Sequence, residues 1–514
     1  MLQPLADNSR KSPVSNSSST PAPVRGWNAK DSLADMEEDW AITLENMFPN
    51  LTDVELRGGY ASHSTGNGSG AVETLVEYSG PATKKLLACA GGVIYDASAA
   101  GGSTSIATGK SNARWQTVMF GTAGGNFLYM VNGEDAPIYY NGSSFTTPNL
   151  NGVTEEDIVD VIAHQRRLFF AFNDSLIIGY LAVNNLAGNV STFDLGGLCK
   201  KGGKIQALAS WTRDGGSGPD DIFVAITSEG EVILYSGNDP GTANSWLLVG
   251  ASFSIGKPIG RRCVEVVGTE VMVTTQDGAI PLSTMLPIDR VGAAGKALSD
   301  NIQNAFIASA RSFGTVFGWQ SIHYPQGSYA LFNVPVSISE SYQYVVNTQT
   351  GAWCKFTGQN AACWALFNGD LYFGATTGGV VYKADTGTSD NTANIEFTIK
   401  PAFNYFGRRG VNKLYNLCRP HFTSNGAPNV AIDLNIDFSD VAPTSIPSAT
   451  SLNAALWDVS KWDEANWSNE IVIADWLTVY GIGDCATPTI RGAENALSIK
   501  FSAYDMIWQT GNAL

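Results

Sequence analysis

Residues 368–387 read Asn-Gly-Asp-Leu-Tyr-Phe-Gly-Ala-Thr-Thr-Gly-Gly-Val-Val-Tyr-Lys-Ala-Asp-Thr-Gly, two short apolar segments on either side of a glycine-rich turn. This pattern is typical of a β-hairpin. Similar segments recur along the chain at roughly the 40–50 residue spacing of propeller repeats. Because one hairpin cannot bury its own apolar face, such copies must stack on one another, and the repetition predicts a ring of β-sheet blades.

Seven hairpins follow this pattern, at 85–95, 126–131 with 137–140, 167–180, 221–235, 271–282, 344–356 and 368–387. They predict an all-β protein with a six- or seven-bladed β-propeller over residues 26–385. A closed ring leaves no long exposed edge, so we expect an N-terminal strand, within 41–48 or 54–57, to pair with the final hairpin.

A wide gap separates the fifth and sixth hairpins, and residues 297–311 lie within it. Four positions there recur at helical spacing, with Ser299 or Asp300 as the expected N-cap: Leu298, Ile302, Phe306, and Ser309 or Ala310. This spacing predicts one amphipathic helix inserted into the propeller.

The two ends of the chain differ from this repeat. Residues 1–25 are rich in Asn, Ser, Thr and Pro, which predicts an arm that is disordered or ordered by a partner. Residues 386–394 have the composition of a linker. Segments of alternating polarity in 395–514, clearest at 429–438, predict a C-terminal domain resembling a β-sandwich.

Composition narrows the classes of function. Only 15% of residues are charged and 54 are glycines, which favours short strands and tight turns. The net charge of −16 argues against a surface that binds duplex DNA, since that needs clustered cations. Seven scattered cysteines without a C-x-x-C pair predict free thiols in a reducing compartment. Neither a signal-peptide pattern nor a membrane-spanning apolar window is found, so we expect folding in a cytoplasm.

The sequence assigns no catalytic, cofactor-binding or metal-binding residues. His63, His164, His323 and His421 lack the spacing of a zinc site, and Gly66–Gly70 resembles a phosphate loop in composition alone. No G-x-S-x-G nucleophile elbow occurs. Clustered acids at 37–39, 155–157 and Asp220-Asp221 could serve glycoside hydrolysis, but their polar setting favours solvated charge. The loop 214–221 could hold calcium through oxygen ligands, but it lacks the spacing of a known calcium loop, which favours a plain turn.

Trp457, Trp462 and Trp467 are spaced five residues apart, so on a helix successive rings would be rotated by about 140° and would share no face. An extended segment fits better, and its rings could pack internally, between subunits or on glycans. Four basic pairs are too far apart in sequence to define a nucleic-acid patch: Arg166-Arg167, Lys200-Lys201, Arg261-Arg262 and Arg408-Arg409. Ion pairs with acidic residues of another subunit are an alternative role for them.

Three stretches together resemble the tail hub (nozzle) and packaged-DNA stabilisation proteins of short-tailed bacteriophages. They are Gly26-Trp-Asn with Ala41–Pro49 and Val54–Gly59; Val346–Trp353 with 371–374 and Gly378–Tyr382; and Lys400-Pro-Ala-Phe-Asn-Tyr-Phe-Gly407 with Asp433–Phe438. The resemblance covers most of residues 26–514. The polar arm before Gly26 is outside it.

The resemblance implies a non-enzymatic virion protein, made in the host cytoplasm and located in the phage tail. Such propellers assemble as a homohexamer below the portal and its adaptor ring, contact tail fibre or needle proteins, retain the packaged genome and conduct double-stranded DNA during ejection without binding it sequence-specifically. No cofactor is implied. Two alternatives stay open: a virion-borne carbohydrate-binding or glycan-cleaving propeller, and a cytoplasmic propeller that scaffolds protein partners.

Overall fold

The computed structural model describes residues 15–214, 219–242, 244–250, 252–285, 297–441 and 471–510. The chain divides into two compact units. The propeller unit comprises residues 58–393, and the platform unit comprises the described residues before Gly58 and after Ala393. The propeller therefore begins later than the predicted residue 26, because the strands before Gly58 pair with the C-terminal part of the chain.

The described strands of the propeller unit form seven antiparallel groups, which we number in chain order. Sheet 1 contains Thr74–Ser79, Lys84–Ala90, Val93–Asp96 and Thr104–Ala107. Sheet 2 contains Gln116–Thr122, Gly125–Val131, Ile138–Tyr140 and Phe145–Thr146. Sheet 3 contains Ile158–His164, Arg167–Phe172, Ile177–Tyr180 and Ser191–Asp194. Sheet 4 contains Ile205–Asp214, Pro219–Thr227, Glu231–Gly237, Trp246–Leu248 and Phe253–Ser254.

Sheet 5 contains Val264–Val267, Glu270–Thr275 and Gly278–Pro281. Sheet 6 contains Gln320–Tyr324, Tyr329–Pro335, Ser341–Asn347 and Trp353–Phe356. Sheet 7 contains Ala361–Phe367, Asp370–Ala375, Val381–Ala384 and, from the start of the unit, Tyr60–Thr65. Gly101–Gly102 adds to sheet 7 in parallel, and Leu150–Asn151 pairs with Gly188–Asn189.

These sheets form a closed ring, which makes the unit a β-propeller. The first strand of each sheet contacts the first strand of the next, and Ala361–Phe367 of sheet 7 contacts Thr74–Ser79 of sheet 1. Apolar clusters fill the spaces between neighbouring sheets; between sheets 3 and 4, for example, Phe169, Phe223 and Trp246 pack as one aromatic group. All seven predicted hairpins are confirmed as hairpins within these sheets.

The strand that closes the ring differs from the prediction. Tyr60–Thr65 pairs with Val381–Ala384, whereas we expected closure by 41–48 or 54–57. Ala41–Glu45 pairs instead with Ile395–Pro401, and Val54–Leu56 pairs with Met47–Pro49 and the last strand. The predicted linker 386–394 folds back beside the closing strand, since Tyr60 donates its N–H to Ser389 O and Asn391 donates to Tyr60 O.

The inserted helix is confirmed and runs from Gln303 to Phe313, after a 3₁₀ turn at Asp300–Ile302. Ile302, Phe306, Ser309 and Ala310 are buried as predicted, but Leu298 is partly exposed. Ser299 does not cap the helix through its side chain. Its Oγ instead accepts the N–H of Ala279, which fastens the start of this insertion to sheet 5. A short helix at Leu282–Met285 follows sheet 5.

The described platform strands fall into two hydrogen-bonded groups, and four of these strands come from before Gly58, whereas we predicted a C-terminal β domain of residues 395–514 alone. One contains Ser15–Pro21, Met47–Pro49, Val54–Leu56, Lys413–Ser424, Ile471–Ile473, Leu477–Gly483 and Ile499–Thr510. The other contains Ala41–Glu45, Ile395–Pro401, Val430–Ile436 and Ala486–Glu494. The prediction of an arm that is disordered or ordered by a partner was wrong for residues 15–21, because this segment pairs along its length with residues 503–509 of the same chain. Residues 1–14 of the predicted arm lie outside the described residues.

Candidate functional site at the propeller axis

A cavity of about 350 Å³ lies where the first strands of several sheets begin. Because the first strands contact one another around the ring, they surround the propeller axis, and the cavity therefore lies at this axis. Its wall combines residues before and within sheet 2, residues before sheets 5 and 6, and residues from sheets 3 and 4: Asn112, Arg114, Gln116, Asn132, Glu134, Val159, Gln206, Gly260, Arg261, Arg262 and 314–319.

Arg262 connects distant parts of the ring through its guanidinium group. Its Nη1 donates to Glu73 O at 2.9 Å, and its Nη2 donates to Thr74 Oγ1 at 2.6 Å and Trp115 O at 3.2 Å. Nε donates to Gln116 Oε1 at 3.4 Å. Burial lowers the pKa of Arg262, but an arginine keeps its proton in proteins, so a cation is fixed inside the ring. Its hydrogen bonds join the approach to sheet 5 with sheets 1 and 2.

Phe317 projects from the loop after the helix toward two of these cations. Its ring centroid lies 4.3 Å from the guanidinium carbon of Arg114 and 5.6 Å from that of Arg262. Such contacts are favourable because the face of an aromatic ring carries negative potential. Trp319 Nε1 donates to Phe313 O at 2.9 Å, which fixes the loop against the end of the helix. An aromatic plug therefore occupies part of the axis.

Asp160 and Arg261 form a second buried polar connection. Asp160 accepts the N–H groups of Leu208 at 2.8 Å and Val161 at 3.0 Å, while burial raises its pKa to about 6 despite the nearby Arg261. Arg261 donates from Nη1 to the carbonyls of Ile205 and Gln206, each at 3.3 Å. These groups tie sheets 3, 4 and 5 together at the axis.

The arrangement is suited to holding the ring together, since its three arginines donate hydrogen bonds to the chain's own backbone and side chains. The described residues that line the cavity include no serine, cysteine or histidine.

The basic pair Arg261-Arg262 enters this site, a role that sequence reasoning missed. A basic doublet before a strand was the available signal, but sequence spacing could not show that Arg262 reaches Thr74, 188 positions away. Arg166-Arg167 and Lys200-Lys201 do not line the described wall.

The other motifs singled out from the sequence lie apart from one another. Asn67, in the glycine-rich loop 66–70, donates its N–H and Nδ2 to Gly379 O, so this loop packs on the turn of sheet 7. Glu37 pairs with Arg25, and Asp221 accepts a hydrogen bond from Gln165. These carboxylates are thus held by local partners in different parts of the chain.

The histidines and cysteines also have structural surroundings. Buried His164 contacts Ser210 Oγ through Nδ1 at 2.8 Å, and burial lowers its pKa, whereas His421 contacts Asp505 in the platform unit. Across the described segments, no group of three histidine, cysteine or acidic residues is placed to hold a metal. All seven cysteines are described and free, as predicted, and burial raises the pKa of Cys363 to about 12.

Trp457, Trp462 and Trp467 lie outside the described residues. Among the helices of the described segments, none has the length and apolar character required to cross a membrane.

Comparisons with known proteins identify no family for this chain. No family model and no curated protein matches the chain. Solved structures that match are a streptogramin B lyase (TM-score 0.37, 9% identity, 64% of this chain and 93% of that one), BBS1N in complex with ARL6DN (0.38, 10%, 65% and 99%) and YCF48 bound to D1 peptide (0.34, 8%, 64% and 93%). These likenesses are too distant to indicate an activity, and the class of protein, a β-propeller, follows from the closed ring of sheets.

Proposed function

We propose that this chain is a structural virion protein, a tail hub or nozzle of a short-tailed phage. It would assemble as a homohexamer below the portal and adaptor, contact fibre or needle proteins, retain the packaged genome and conduct DNA during ejection. It would be assembled in the host cytoplasm and act in the virion without catalysis. The proposal rests first on the three stretches that resemble this family.

Two of those stretches, far apart in sequence, are adjacent in the platform unit. Leu44 of the first is paired with Ile399, and Thr43 with Lys400, the first residue of the third. Lys400 Nζ in turn donates to Asp440 Oδ1 at 2.6 Å and reaches Asn435 Oδ1 at 3.4 Å, so both halves of the third stretch are connected. This joining of the similar segments is the observation that supports the proposal best.

Both units have the kind of closure that resists mechanical opening. The propeller is closed by Tyr60–Thr65 on the last sheet, and the N-terminal strand Ala41–Glu45 of the platform pairs with Ile395–Pro401. A force applied to the two chain ends of either unit must therefore break a row of backbone hydrogen bonds before the unit opens. A protein that holds a packaged genome would benefit from such closures.

The DNA path would lie between copies of the chain. Phe317 and its flanking arginines occupy the propeller axis, and the cavity of about 350 Å³ there is far too small for a duplex. Six copies at −16 each would carry roughly −96, and acidic walls would repel phosphates so that DNA slides without sticking. We propose that each copy has seven blades, one for each described sheet of the propeller unit.

Native mass measurement and electron microscopy of the purified chain, alone and with a portal–adaptor complex, test this proposal. A six-fold ring with an axial channel in either sample supports it. A monomer that fails to join the portal–adaptor complex and that binds or cleaves polysaccharide would favour the carbohydrate-active alternative. An inert monomer in both samples would favour the scaffold.

Repulsion of DNA by acidic channel walls is tested separately. Acidic residues that microscopy places on the channel wall are changed to lysine, and an equal number on the outer surface provides the matched control. We expect slower DNA ejection for the wall variant alone, because lysines bind phosphates. Equal ejection rates for both variants would overturn the sliding mechanism while leaving the structural role intact.

A further inference from the structure

Sheets 5 and 6 face each other with surfaces that do not fill the space between them. In sheet 5, Glu265 is paired with Met272 and Val267 with Glu270, so these four side chains share one face. In sheet 6, Ser321 is paired with Phe332 and Ala330 with Val346, which places these side chains on one face as well. A cavity of about 210 Å³ lies between the two surfaces.

The wall of this cavity is mainly apolar, but it includes two carboxylates. The apolar part consists of Val267, Met272, Leu298, Ile322, Ala330, Phe332 and Val346. Exposed Leu298, Thr348 and Gly351 also line it and mark its solvent side. Neighbouring blades elsewhere pack through apolar clusters, so glutamates at a blade interface need an explanation of their own.

Two polar groups on this wall have hydrogen-bonding capacity that the chain leaves unused. Ser321 is 3% exposed, and its Oγ has no hydrogen-bond partner. Glu265 accepts the N–H of His323 through Oε1 at 3.2 Å, which leaves Oε2 available to a ligand. A buried polar atom without a partner costs free energy, so native structures rarely keep one unless a water or ligand completes it.

We propose that this cavity binds a primary alkylammonium ion. The ammonium group would donate to Glu265 Oε2 and Ser321 Oγ, and its apolar chain would lie against Met272, Phe332 and Val346. An ammonium carries three donors and no acceptor, which suits a carboxylate and a hydroxyl oxygen. This proposal does not depend on the proposed tail function.

The charges around the cavity favour a cation. Glu270 adds a second carboxylate, whose Oε1 accepts the N–H groups of Val271 and Ser283. No lysine or arginine occurs among the described lining residues. His323 shares the face of Ser321 in sheet 6, and burial lowers its pKa, which keeps it neutral near pH 7. An anionic ligand would therefore meet two carboxylates without a compensating cation.

Binding should depend on pH because of Glu265. Without a ligand, burial raises the pKa of Glu265 to about 7. An ammonium ion favours the charged carboxylate, so below pH 7 binding must release a proton. We therefore expect the affinity to rise between pH 6 and pH 8 and then to level off.

The test is isothermal titration calorimetry of the full chain with n-hexylamine at pH 8, with n-hexanol and hexanoate as uncharged and anionic controls. We expect saturable one-to-one binding of hexylamine, at least tenfold weaker for Glu265→Gln and weaker for Ser321→Ala. Exposed Glu156→Gln is the matched control and should bind as the wild type does. Thermal unfolding curves establish that each variant is folded.

The ammonium group can come from a free amine or from a lysine side chain of a protein, and binding of Nα-acetyl-lysine amide distinguishes these two sources. Tighter binding of this compound would assign the ammonium to a protein lysine, and tighter binding of hexylamine would assign it to a free amine. Equal binding of hexanol and hexylamine, an unchanged affinity in Glu265→Gln, or no binding of either amine would overturn the proposal and leave a water-filled cavity.

Discussion

Nη2 of Arg262 donates a 2.6 Å hydrogen bond to Oγ1 of Thr74, which joins the approach to sheet 5 with the first strand of sheet 1. The same guanidinium also donates to the carbonyls of Glu73 and Trp115. Because its partners belong to different sheets, this side chain restrains the ring across its axis.

Replacing Arg262 by methionine should destabilise the propeller. We expect the free energy of unfolding to fall by roughly 3 kcal/mol, since several buried acceptors lose a charged donor at about 1–3 kcal/mol each and part of that loss is offset by removing a buried charge. Urea unfolding monitored by tryptophan fluorescence measures the change. Arg311→Met, at an exposed position on the helix, should stay within about 0.5 kcal/mol of the wild type. Equal effects at both positions would contradict this role.

Gly59 should be intolerant of a side chain because the closing strand begins there. A Cβ at this position would lie 2.0 Å from the carbonyl oxygen of Ser389, and the Gly59 N–H is bonded to Gly387 O. We expect Gly59→Ala to destabilise the propeller by about 1–3 kcal/mol, the usual range for overpacking. Its thermal midpoint should therefore fall.

Gly70 provides the matched control for that change. A Cβ there would meet no atom within 4 Å, so Gly70→Ala should leave the thermal midpoint close to that of the wild type. If the two alanine variants unfold together, the close approach at Gly59 does not contribute to closure.

The sequence predicted the hairpins well because each of them includes an inner strand of its sheet. Segments such as Arg167–Phe172 are buried on both faces, and their apolar runs are visible without any partner. The closing strand Tyr60–Thr65 reads Tyr-Ala-Ser-His-Ser-Thr and is largely accessible, so hydrophobicity gave no sign of it. Ser15–Pro21 was missed for the same reason, since backbone pairing with a distant strand orders it.

The candidate sites were less predictable than the fold. Two of the four acceptors of Arg262 are backbone carbonyls, which every residue carries, and the other two belong to distant Thr74 and Gln116, so no sequence motif marks its partners. Glu265 stands in an alternating strand, where one polar residue normally indicates the solvent side. Only the packing of sheet 6 against sheet 5 shows that this side is covered.

Glu265 should make the propeller less stable as pH rises. Burial raises its pKa from 4.5 to about 7, so the folded chain binds this proton more tightly than the unfolded chain does. The free energy of unfolding should therefore fall between about pH 4.5 and pH 7, by up to about 3 kcal/mol from this group. Glu265→Gln resembles the protonated form and should lack this contribution.

The measurement is the thermal midpoint of both proteins at pH 5 and pH 8. We expect similar values at pH 5 and a midpoint a few degrees higher for Glu265→Gln at pH 8, whereas Glu156→Gln should show no such pH-specific gain. A constant difference between wild type and Glu265→Gln at both pH values would show that Glu265 does not titrate in this range.

Lys400 should stabilise the platform unit through its buried ammonium group. The residue is 3% exposed, and Nζ donates to Asp440 Oδ1 and reaches Asn435 Oδ1 and Ser439 O. We expect Lys400→Met to cost roughly 1–3 kcal/mol, because these acceptors lose a charged donor. Hydrogen exchange should accelerate in Ile395–Pro401 and Val430–Ile436 and stay unchanged in Lys84–Ala90 of the propeller. Exposed Lys30→Met should leave all three segments protected, and faster exchange in the propeller strand as well would show that the effect is not confined to the platform.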